Sequence, residues 1–64
     1  MTKEEAIQAM REGKKVTHEY FSDDEYLYER NDGKIVTEEG YTVTNDFWSY
    51  RTSPGWQINW SVIN

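Results

Sequence analysis

Cysteine is missing from this chain, and histidine occurs once, as His18. The first absence excludes disulfides and thiolate metal sites. The second argues against a histidine-based zinc centre within one chain. No apolar run is long enough for a signal peptide or a membrane span, so the expectation is a cytoplasmic protein that does not contact a membrane. The lack of cysteine fits a reducing compartment. Cations are in the minority: seven Lys and Arg face twelve Asp and Glu, for a net charge of −5. An acidic surface repels phosphate backbones, which argues against direct nucleic-acid binding. Phosphate-cradling glycine motifs are absent too, since Gly13, Gly33, Gly40 and Gly55 each stand alone at an expected turn. No serine sits in a nucleophile-elbow context, and His18 is the sole imidazole base. The reading is therefore a non-enzyme, with no catalytic residues, no cofactor and no metal.

What the chain does have is aromatics. Three Trp, five Tyr and two Phe occur among 64 residues. That length sets one domain, residues 1–64, which buries only about 60% of the surface exposed by its unfolded chain. Small domains offset this with disulfides, metals, oligomers or a dense core. Without cysteine, an aromatic-rich core and self-association into a homo-oligomer are the two options left. Each aromatic can bury roughly 150–250 Å².

The N-terminal segment has the marks of a helix over about residues 3–12. Thr2 followed by Glu5 forms a T-x-x-E capping box, and Glu4 and Glu5 sit at the positive end of the dipole. Ala6, Ile7 and Met10 make one apolar stripe, and Gly13 is the natural stop. Beyond Gly13 the pattern turns β-prone. "KKVTHEYF" predicts a first strand, "SDDE" a turn and "YLYER" a second strand. "NDG" signals a hairpin into "KIVT", and "EEG" a further turn into a strand at "YTVT". "NDFWSYR" after Thr44 suggests one short helical turn, and "SPG" a break. "WQINWSVI" alternates strictly, which predicts a final strand with Trp56, Ile58, Trp60 and Val62 on one face. The connections are too short for parallel crossovers. The expected fold is thus α+β: one N-terminal helix packed on a small antiparallel sheet of about 4–5 strands. Its expected core is Ala6, Ile7, Met10, Val16, Leu27, Ile35, Val43, Trp56, Ile58, Trp60 and Val62.

Charge is unevenly spread. In residues 1–20 four cations balance four acids, so the whole imbalance follows residue 20. Its densest part is "HEYFSDDEYLYE", residues 18–29, where acids alternate with aromatics. Glu19, Tyr20, Asp23, Asp24, Glu25, Tyr26, Tyr28 and Glu29, with Glu38 and Glu39 from the next turn, form the candidate partner-binding surface. Carboxylates spaced along a sheet can imitate phosphates and steer onto a basic groove, with tyrosines as buried anchors. The plain alternative is a solvated turn that also discourages edge-to-edge pairing. Asp23, Asp24 and Glu25 do not match a calcium loop. A second candidate set is Lys14, Lys15, Trp48 and Arg51. Two lysines leaving a glycine stop can hold a phosphate group, and an Arg–aromatic cluster can grip a base or a side chain. The alternative there is two solvated lysines at a helix end. His18 reads as a structural or surface residue, with a ligand hydrogen bond as the other reading.

The opening "EEAIQAMREGKKVTH", with its G-K-K-V step after a helix, and the closing W-x-x-x-W-x-V/I strand in "WQINWSVI" resemble small phage and prophage proteins. Among characterised groups, they loosely resemble the Thoeris anti-defence sponge family. The resemblance covers about residues 4–18 and 56–63. Where that family has a W or R-x-x-W step after G-K-K-V, this chain reads "THEYF". The resemblance implies a counter-defence role more strongly than any one ligand, and a host-cell cytoplasm for a phage-encoded chain. Two function classes follow. One is an anti-CRISPR-like inhibitor that binds a host protein with a basic surface, a CRISPR nuclease being one such target. The other is a sponge for a cyclic ADP-ribose-type nucleotide, held by Lys14, Lys15, Trp48 and Arg51. An accessory binding module with no enzymatic role is a third reading.

Overall fold

A computed structural model describes residues 1–63. Helix α1, Lys3–Arg11, begins with the expected capping box. The Glu5 amide donates to Thr2 Oγ1 at 3.1 Å, and the Thr2 amide donates to Glu5 Oε1 at 2.8 Å. The helix ends in a Schellman motif at Gly13, whose φ is 89°. The Gly13 amide reaches the Met10 carbonyl and the Lys14 amide reaches that of Ala9, which satisfies two otherwise orphaned acceptors.

Four short strands follow: β1 (Lys15–His18), β2 (Leu27–Glu29), β3 (Ile35–Thr37) and β4 (Trp60–Ile63). They form one antiparallel sheet in the order β3-β2-β1-β4. Helix α1 lies across β1, β2 and β4. Ala6 and Ala9 let its backbone approach closely, and Met10 fills the space between them and the sheet. Val16, Leu27 and Trp60 complete the buried cluster, with Ile7, Ile35, Val43, Phe47, Trp48 and Trp56 packed around it. Two short helices, α2 (Asn45–Ser49) and α3 (Pro54–Gln57), carry the last three of these. The α+β reading of the sequence therefore holds.

Several local expectations do not. The "YTVT" segment makes a single bridge, Thr42 to Val36, because the chain leaves the edge of β3 to enter α2. The first strand ends at His18 rather than running to Phe21, because the Phe21 amide turns back onto the His18 carbonyl. The terminal alternation over-predicted its strand. Pro54, pre-set for a first helical position, starts the turn of α3, and Asn59 takes a left-handed φ of 71°. The extended segment then begins only at Trp60. Trp56 still reaches the core, but from a helix, while Ile58 is 52% exposed. Val62, on an edge strand, is 37% exposed. In β3 it is Val36, not Ile35, that is fully buried. Register pairs Val36 with Tyr28, on the sheet face opposite Leu27.

His18 is buried beside the core and joins three parts of the chain. Its Nδ1 accepts from the Tyr20 amide at 3.0 Å. That assigns the ring proton to Nε2, which lies 2.8 Å from both the Gly55 and Ile58 carbonyls. The ring stacks on Trp56 at 4.2 Å and meets Trp60 edge-on at 4.8 Å. The Trp60 indole in turn donates to the Trp56 carbonyl.

Two stability measurements test this packing. Trp60→Ala should cost about 3–5 kcal/mol, enough to unfold so small a domain, and a denaturant melt close to wild type would contradict the buried position. His18→Phe keeps a stacking ring but strands one amide and two carbonyls. It should lose about 1–3 kcal/mol, read as a lowered denaturation midpoint at unchanged slope.

Candidate binding surface

The acidic residues are delivered by two turns. The first, Ser22–Glu25, closes with the Glu25 amide on the Ser22 carbonyl at 3.0 Å. The Ser22 amide donates back to Glu25 Oε1 at 3.0 Å, and the Ser22 hydroxyl lies 2.7 Å from that oxygen and 3.1 Å from Asp24 Oδ1. Thr17 of β1 donates its hydroxyl to the Glu25 carbonyl, which ties the turn to the sheet. The second turn, after β3, closes through the Gly40 amide on the Thr37 carbonyl, with Gly40 at a φ of 88°. The Thr37 hydroxyl accepts from the Glu39 and Tyr41 amides.

Strand register brings these turns together. Leu27 faces Thr37 across the ladder, so the residues just outside β2 and β3 continue toward each other. Asp24 and Glu25 meet Glu38 and Glu39 around one open groove of about 400 Å³, whose other walls are Ser22, Thr37 and Tyr41. Tyr41 is 69% exposed at the rim. The sequence reading placed Tyr41 on a strand and did not nominate it; an aromatic next to an acid–glycine turn was the signal available.

The other nominated residues spread around this groove. Glu19 and Asp23 line a neighbouring cleft of about 310 Å³ with Asn59 and Ser61, which shares Ser22 with the groove. Tyr20 is exposed, and its ring covers Gly55 so closely that a β-carbon there would collide with the hydroxyl. Tyr26 and Tyr28 are half-buried with ring centroids 6.1 Å apart, and the Lys15 ammonium lies over Tyr26 at 4.9 Å. Glu29 is half-buried in β2.

The basic set is dispersed. Lys14 pairs with Glu12 at 3.3 Å at the end of α1. Trp48, expected as an exposed contact, is half-buried against Trp60 because α2 folds onto the core, and Lys3 lies over its ring. The Arg51 amide donates to the Trp48 carbonyl at 3.0 Å, but its guanidinium lies against Phe47 and Trp56. Lys14, Lys15 and Trp48 line neither of these two clefts.

Among the described residues, no group of three or more His, Cys, Asp or Glu is placed to hold a metal ion. No helix among them is long and apolar enough to cross a membrane. Comparison with protein-family models, with curated proteins and with solved structures gave no match.

Hydrogen bonds from the Ser22 amide and then its hydroxyl hold the Glu25 carboxyl below its ordinary value of 4.5, against burial and the nearby Asp24. The anion is thus favoured in the folded turn. Its stabilisation is complete above the ordinary value and fades as pH falls through the lowered one. Ser22→Ala removes the hydroxyl and leaves the amide. An NMR titration of the Glu25 carboxyl should show its midpoint rising part of the way back toward 4.5. An unmoved midpoint would exclude the hydroxyl as a cause.

Proposed function

We propose that the protein is a non-catalytic binding module that docks its acidic groove onto a basic surface of a partner protein. The observation that carries this reading is the convergence of Asp24, Glu25, Glu38 and Glu39, from two turns remote in sequence, on one concave surface with Tyr41 at its rim. Like charges held together repel, and a fold has no stability reason to gather them. A concave cluster of carboxylates attracts Lys and Arg side chains and speeds encounter with a basic face. Tyrosine at the edge supplies an amphipathic anchor that becomes dry on docking. Proteins that handle nucleic acid carry basic grooves of this kind. An inhibitor of a host nuclease, a CRISPR effector being one such target, is the role that joins this surface to the phage-like sequence features. Negative charge at the groove favours this reading over a nucleotide sponge.

Glu38 and Glu39 offer the cleaner mutation, because Glu25 Oε1 holds both the Ser22 amide and hydroxyl, whereas Glu38 holds only the adjacent Glu39 amide. Glu38→Lys with Glu39→Lys should cost no more than about 1 kcal/mol, since Glu39 is exposed and the half-buried Glu38 gives up one surface hydrogen bond. Binding to an immobilised lysine- and arginine-rich peptide at low salt should fall by about tenfold or more, chiefly through slower association. Capture from a bacterial lysate should lose the same proteins that salt elutes from the wild type. Equal binding by both forms at low salt would overturn the proposal.

A further inference from the structure

Beside the acidic groove, and sharing Glu25, Thr37 and Glu38 with it, lies a second cleft of about 190 Å³ with a different lining. Its walls are aromatic, with Tyr20, Phe21, Phe47 and Trp56 among them, and Arg51 sits within it. The Arg51 guanidinium lies 3.8 Å from the Phe47 ring centroid and 5.1 Å from that of Trp56. Its Nη1 donates to the Phe47 carbonyl at 3.0 Å. Its Nε is buried with no acceptor, and Arg51 makes no ion pair among the described residues.

A buried donor without a partner is a debit that a folded chain normally avoids. Guanidinium chemistry says what would relieve it. With Nη1 committed to a backbone carbonyl, the edge left over is the one formed by Nε and Nη2. Two parallel N–H groups on that edge match the two oxygens of a carboxylate. Contacts with the Phe47 and Trp56 rings hold the guanidinium in place. Yet Glu25 and Glu38 line the same cleft, so a simple anion is repelled by its acidic wall. A simple cation is repelled by Arg51. The lining thus combines one cation, two acids and several aromatic rings.

We propose that this cleft binds a free α-amino acid bearing an aromatic or large aliphatic side chain. The ligand carboxylate engages the Nε–Nη2 edge of Arg51, its ammonium faces Glu25 and Glu38, and its side chain lies among Phe21, Phe47 and Trp56. Tyr20, exposed and at the mouth, is the wall that yields to admit it. A peptide C-terminus lacks the ammonium and an N-terminus lacks the carboxylate, so the free amino acid is the species that satisfies both charges.

The test is a titration of the intact protein with L-phenylalanine, 3-phenylpropionate and phenethylamine. Tryptophan fluorescence and the Arg51 Nε–H NMR resonance provide the readouts. L-Phenylalanine should give a saturable change and move the Nε–H signal, and each analogue should bind about tenfold or more weakly, since each loses one charged contact. Arg51→Met, checked for folding by its melt, should abolish the response. Glu25→Gln with Glu38→Gln should narrow the preference for L-phenylalanine over 3-phenylpropionate. Should Arg51→Met fail to fold, the analogue comparison on the wild-type protein decides alone. No saturable change up to about 20 mM L-phenylalanine, weaker than any binding of functional consequence, would overturn the proposal. So would equal binding of either analogue. No partner protein takes part, so failure here leaves the docking of the acidic groove to be judged by its own measurement.

Discussion

The buried imidazole of His18 is the contact on which the rest of the structure depends. A domain without disulfides or metal must fix its irregular segments by other means. One ring does this for two of them: it receives the Tyr20 amide from one side and offers its own N–H to the Gly55 and Ile58 carbonyls on the other. The chain can then leave β1 sharply, and α3 can sit against the sheet with its carbonyls satisfied. Stacking on Trp56 and edge contact with Trp60 make the same ring part of the apolar core. A hydrophobic residue of equal size would pack, but would leave three backbone groups without partners.

The acidic groove follows from where that anchor lets the chain go. The sharp exit from β1 sends residues 19–25 along the sheet end, and antiparallel pairing of β2 with β3 returns Glu38 and Glu39 to the same end. Carboxylates held this way repel one another. Local donors moderate the repulsion: the Ser22 amide and hydroxyl on Glu25, and the Glu39 amide on Glu38. Arg51 draws Glu25 from a distance without pairing with it. Direct neutralisation occurs at the hairpin, where Asp32 accepts from the Arg30 guanidinium and the Lys34 amide and is held below its ordinary pKa by both. Among the described residues no cation forms an ion pair with the carboxylates of the groove.

Much of the architecture was legible before folding because it is written in local chemistry. The capping box, the glycine stop at Gly13 and the Asn31–Asp32–Gly33 hairpin each depend on residues within five positions of one another. The buried Ala6, Met10, Val16, Leu27 and Trp60 also followed from periodicity. Ala9 and Val36 did not. Alanine carries little hydrophobic signal, and Val36 is covered on the sheet face that the alternation assigned to solvent. The acidic turns were visible as composition, but their meeting was not, since it depends on which residues of β2 and β3 stand opposite.

By itself, then, the amino-acid order determined the helix, the turns, the antiparallel α+β class and the excess of negative charge after residue 20, because each rests on short-range backbone preferences or on simple sums of charge. Tertiary structure alone decided the rest. It chose α3 over a longer terminal strand, because Pro54 and the carbonyls held by His18 outweigh an alternating pattern. It set the Arg51 guanidinium against the Phe47 and Trp56 rings. It joined two acidic turns into one groove, because strand register, a long-range property of hydrogen-bond pairing, fixes which distant side chains become neighbours.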